Sequence, residues 1–170
     1  MIDPVSTIST RWIALSALAL FAPVVVTFGI APGVWWADYP GILFHLAMFL
    51  LVYRLVAPDW AKAAGYGWLV LDVMTGVLTL NHVPHNIADF VRLGGHIFAG
   101  IWLATASLSG SRSVQIIGLI VAVLLGGYSF ISPFVSPIVI APTAPLLLIW
   151  LGIVAWQNGS KRVPATERAN

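Results

Sequence analysis

Between Trp12 and Trp156 the chain is a succession of apolar runs with only short breaks, each close to the length that crosses a bilayer. A spanning helix needs roughly 20 mainly apolar residues to cover a hydrocarbon core of about 30 Å. Residues 12–30, 41–57, 63–83, 87–108, 114–131 and 135–156 meet or approach that requirement. The breaks ("APGVWWADYP", "APDWAKAAG", "NHVPHN", "SGSRS", "SPFVSP") are rich in turn-forming residues and too short for anything but antiparallel neighbours. The sequence therefore predicts an all-α, polytopic membrane bundle of six transmembrane helices. Residues 1–157 form its single domain, and residues 158–170 a short polar cytoplasmic tail.

Charge decides against a soluble alternative. Only 8% of the residues are charged, whereas a soluble domain carries about a quarter. A net charge of +2 gives no reason to expect a nucleic-acid partner. The chain has no cysteine, which removes disulfides, thiolate metal sites and cysteine nucleophiles. Arg11 ahead of an apolar run resembles the start of a secretory leader. That run is about 19 residues, beyond the ~7–15 of a leader's core, and no cleavage motif follows it. It reads as the first spanning helix.

The basic residues give an orientation. With the N-terminus in the cytoplasm, Arg11, Arg54, Lys62, Arg112, Lys161, Arg162 and Arg168 all fall on the inner side, and the outer loops hold no lysine or arginine. That asymmetry follows the positive-inside rule and agrees with an even number of spans, both termini cytoplasmic, in a bacterial inner membrane. Trp12, Trp60 and Trp156 then mark the inner interface, and Trp35 and Trp36 the outer one.

Two packing signals stand out. Gly118, Ala122 and Gly126 form a row of small side chains on the fifth helix, suited to close approach of another helix within the chain or, less readily, in an oligomer or larger membrane complex. Pro142 and Pro145 fall inside the last run, where proline removes a backbone donor and forces a kink or unwound turn.

The residues that demand a reason lie in "NHVPHNIADFVRLGGHIFAG", 81–100. If the fourth helix begins just after Pro84, then His85, Asp89, Arg92 and His96 fall within an arc of about 60°. With a rise of ~1.5 Å per residue, that stripe descends from the outer interface to the midplane. Asp72 on the third helix reaches a depth similar to that of His96, with Thr75, Gly76 and Thr79 on its face. His45 on the second helix is expected higher. A charge at the bilayer centre costs some 2.5–3.5 kcal/mol even on lenient scales, so it faces the interior and finds a partner. Arg92 or His96 is the expected partner of Asp72. Asp89 and Arg92, three residues apart, can instead neutralise one another, and His82 reads as a loop residue.

These residue types favour some chemistries over others. The only glutamate, Glu167, lies in the tail, so a glutamate-based zinc protease motif is absent, and "SLSGS" at 107–111 is too far from His96 for a serine nucleophile. No cofactor is expected. A haem would need two histidines at one depth, such as His45 and His96, and Arg92 would repel a histidine-bound metal. The reading that fits best is an outward-facing pocket of Asp72, Arg92, His96, Asp89, His45 and His85 that binds or translocates a small solute or protons. Arg92 would clamp an anionic group there, while Asp72 and His96 change charge. A membrane enzyme using Asp72 and a histidine as acid and base on a lipid-like substrate, and an accessory subunit of a larger complex, are the alternatives.

The orientation is directly testable. A reporter fused after Asn170 should be cytoplasmic, and a cysteine replacing Asp38 or Asn86 should react with an impermeant reagent from outside. A tail exposed to the outside would overturn both the orientation and the even count.

Overall fold

The computed structural model describes residues 8–31 and 34–160. It is all-helical, with α1 (Thr10–Ile30), α2 (Asp38–Arg54), α3 (Asp59–Leu80), α4 (His85–Leu108), α5 (Arg112–Ile131) and α6 (Thr143–Ser160). Short 3-10 turns at Trp35–Ala37 and Pro137–Ile140 lead into α2 and α6. Of the expected tail, residues 158–160 continue α6; the rest, with Lys161, Arg162 and Arg168, lies outside the described residues, as does the side chain of Trp35.

Five helices are long and apolar enough to cross a membrane, the fifth being the stretch Pro137–Gly159; α2, with 17 residues, is the short one. Each helix packs against the next, and α6 returns to α1, so the six close into a ring. One end carries Arg11, Arg54, Lys62 and Arg112; the opposite end, where α4 begins, is the mouth of the ring.

The helix boundaries follow local chemistry. Ser9 caps α1, its hydroxyl accepting from the Trp12 amide. Pro58 and Pro84 stand immediately before α3 and α4, where their missing N–H costs nothing. α3 is closed by His82, two residues past its end, whose φ of 59° is the left-handed turn that follows a helix, with the Val83 amide donating to the Leu78 carbonyl.

The last apolar run has the unwound turn expected of it at Pro142, but no break at Pro145. Pro142 separates the 3-10 turn from α6, whereas Pro145 falls in the first turn of α6, where no intrahelical bond is lost. Pro23, by contrast, lies well inside α1, and the Thr27 hydroxyl donates to its carbonyl.

The surface is largely hydrocarbon, with Leu43, Leu46, Val70, Met74, Ile116, Val123, Phe130 and Ile149 exposed around the ring. Toward the basic end the interior is solid, filled by Trp102, Trp150, Met48, Leu51, Leu69, Leu103 and Leu151. Rings interlock across it: Phe21 stacks on Phe44 at 4.3 Å, and Trp68–Trp102 and Trp102–Trp150 follow at 5.8 and 5.9 Å. The small-residue row of α5 is used within the bundle. A Cβ on Gly100 of α4 would come within 2.8 Å of the Ala122 carbonyl oxygen and 3.2 Å of Gly126 Cα. Gly118 makes room for Ser107, which accepts a 3.0 Å hydrogen bond from the Trp150 indole.

Gly100→Ala should therefore force α4 and α5 apart and cost about 1–3 kcal/mol. Gly127→Ala, with nothing within 4 Å of its added methyl group, should not destabilise the fold. Thermal unfolding in detergent distinguishes the two; equal behaviour would refute the close crossing.

Candidate functional site

Above the aromatic layer the ring is hollow. A cavity of about 550 Å³ extends from Trp68, Asp72 and Leu147 up to Ala37, Asp38 and Ala141 at the mouth. Its wall from α1 and α6 combines Phe21, Val24, Phe28, Thr143, Ala144 and Leu147.

Asp72 stands at the base of the cavity, 8% exposed. Its Oδ2 accepts from the indole N–H of Trp68, one turn earlier on α3, at 2.5 Å. His45 Nε2 lies 3.0 Å from the same oxygen. The partner of Asp72 is thus His45, not Arg92 or His96. Depth explains the difference: α2 begins at Asp38, three residues before its apolar run, which puts His45 seven residues, or about 10 Å, below the helix start. Asp72 lies eight residues from the end of α3, about 12 Å, so the two side chains meet at one level.

The other ring nitrogen of His45 fixes the proton count of the pair. Nδ1 lies 2.7 Å from the Gly41 carbonyl, which can only accept, so Nδ1 carries a hydrogen. Nε2 and Oδ2 can then form a hydrogen bond only if one further proton lies between them, on the imidazolium or on the carboxylic acid. Without that proton two lone pairs face each other and the contact fails. The His45–Asp72 pair holds one exchangeable proton by geometry.

Three polar atoms of the wall, Asp72 Oδ1, His96 Nδ1 and Thr143 Oγ1, are buried with no hydrogen-bond partner among the described residues. Gly95 of α4 leaves the space that Oδ1 occupies, since a Cβ there would stand 3.1 Å from it. Arg92 also lines the cavity and has no carboxylate within 4 Å among the described residues. At the mouth, ahead of the apolar run of α2, burial raises the carboxyl of Asp38 above its ordinary range, opposed by the charges of Arg92 and His85.

The expected stripe on α4 divides. Arg92 and His96 line the cavity; His85 and Asp89 are exposed and do not, and Asp89 makes no ion pair with Arg92. The face of α4 that packs inward is the small one, Ala88, Gly95 and Ala99, and the polar stripe runs beside it. Asp89 is the stripe residue turned furthest from that face, and His85 is the first residue of the helix, beyond the packed ring. His82 is an exposed turn residue. Ser107 is buried against Trp150 and has a packing role. Among the described residues no group of three histidine or carboxylate side chains converges in a way that could hold a metal ion.

Trp68 and Asp38 were not among the expected site residues. The Trp68–Asp72 spacing of four residues is a legible signal for the first. Nothing local marks Asp38. Comparison with protein-family models, curated proteins and solved structures finds no match.

Removing one member of a buried charged pair costs about 3–5 kcal/mol, because the other is left without compensation. His45→Ala and Asp72→Ala should each destabilise the protein by that order, and the double variant should recover part of the loss. Strictly additive losses in detergent unfolding would mean that the two side chains do not interact.

Proposed function

We propose that the protein is a six-span inner-membrane protein, termini in the cytoplasm and cavity mouth outward, whose cavity binds a small solute together with the proton of the His45–Asp72 pair. The observation that carries this reading is a proton-sharing pair at the base of a cavity whose wall also holds Arg92 and His96. The gathering of Arg11, Arg54, Lys62 and Arg112 at the end away from the mouth supports the orientation. With α2 inserted between α1 and α3 in a closed ring, a 17-residue helix can span beside longer neighbours, at the modest cost that a short span carries.

Proton exchange sets the sign of the coupling. When the pair holds its proton it is neutral as a unit; when it releases the proton the base of the cavity gains a negative charge. Arg92 and His96 on α4 and Asp38 at the head of α2 face the same space and tune that exchange. An anionic or zwitterionic solute is therefore bound with the proton present and expelled when it leaves. Transport follows if the cavity can also open to the other side.

Protein extracted in mild detergent across a series of pH values provides the test, with mass spectrometry of the retained small molecules. Wild-type protein should retain a non-lipid small molecule at the acid end of the series and lose it as the pH rises, whereas folded His45→Gln and Asp72→Asn variants should lose that dependence. The same molecules on wild type and variants throughout the series would defeat the reading.

A further inference from the structure

The polar groups of the cavity are not spread around its wall. His45, Asp72, Arg92 and His96 come from α2, α3 and α4. The facing side, from α1, α5 and α6, is hydrocarbon except for Thr143, with Phe21, Val24, Phe28, Leu125 and Leu147 exposed to the space. A cavity divided in this way fits a ligand divided in the same way, with one polar head and one apolar body.

The charges then select the head. Asp72 has its charge balanced already: its Oδ2 accepts from Trp68 and shares a proton with His45, which makes the pair neutral and leaves only Oδ1 without a partner. Arg92 is not committed, since no carboxylate lies within 4 Å of it among the described residues and Asp38 acts on it only at longer range. His96, one turn further along the same helix, adds a buried Nδ1 without a partner. A forked guanidinium with an imidazole N–H beside it matches the two oxygens of a carboxylate, in a way that an ammonium or a hydroxyl does not. A dianion such as a phosphate monoester would bring a second charge toward Asp72 below and Asp38 above, with one cation to meet it.

Resting on the reading of this cavity as a solute site, we infer that its ligand is an amphipathic monocarboxylate. The carboxylate is held by Arg92 and His96, and an aromatic or medium-length alkyl body lies against Phe21, Phe28 and Leu147. Selectivity for the head then resides in α4, and tolerance of the body in α1 and α6.

Three probes with one body and different heads test this: 4-phenylbutyrate, 4-phenyl-1-butanol and 4-phenylbutylamine, titrated calorimetrically into the full-length protein in lipid nanodiscs at about pH 6. The acid should bind at least about tenfold more tightly than the alcohol or the amine, as expected for a charge-assisted, forked contact. Arg92→Gln should remove that advantage and leave the alcohol unchanged, and Arg92→Lys should keep part of it. The wild-type comparison decides even if a variant fails to fold. An alcohol or amine that binds as well as the acid, or an acid indifferent to Arg92→Gln, would overturn the ligand class. If His45→Gln then weakens the probe that does bind, the proton-linked site survives with a different head group. If none of the three probes binds, the solute site falls together with its ligand.

Discussion

A carboxylate at the base of a membrane-type bundle is the constraint around which the upper half of this structure is arranged. Asp72 draws a donor from its own helix, Trp68, and shares a proton with His45 of α2. It also requires a glycine, Gly95, on α4 so that its second oxygen has room. Three consecutive helices are thereby fixed in register by one side chain. The interior it occupies is not generous to charge, and the arrangement is stable because the pair carries a proton and is neutral as a unit. That same proton makes the site chemically responsive.

The remaining packing serves to keep this polar centre in place. Gly100 against Ala122 and Gly126 brings α4 and α5 into backbone contact, and Ser107 ties α6 to α4 through Trp150. Membrane-type helices have little hydrophobic drive to associate, so close backbone approach and a few internal hydrogen bonds carry more of the work. The fold is accordingly tight where small residues face each other.

Much of this was legible in the sequence, because its main signals are one-dimensional. Apolar runs of fixed length gave the six helices, and the start of α4 after Pro84 followed from local chemistry. The depth of Asp72 marked it as the most constrained residue. What was not legible depends on how helices rotate and slide against each other. His45 was expected too high because α2 begins at Asp38 rather than at its first apolar residue. The stripe on α4 was expected to act as a unit, but helix rotation is set by Ala88, Gly95 and Ala99, which turn Asp89 away. Pro142 and Pro145 look equivalent in sequence, yet one ends a turn and the other sits harmlessly inside a new one. The role of α1 in walling the cavity had no sequence signature beyond hydrophobicity.

The interlocked rings of Phe21, Phe44, Trp68, Trp102 and Trp150 have a mechanical consequence. They come from five of the six helices and close the ring below the cavity, so the molecule is a cup and not a tube. A channel-like mechanism, in which a solute diffuses straight through a standing pore, does not fit such a shape. His45 meets both Phe44 and Trp68 edge-on and so joins the phenylalanine pair to the tryptophans. The polar pair of the cavity floor is thereby built into the layer that closes it.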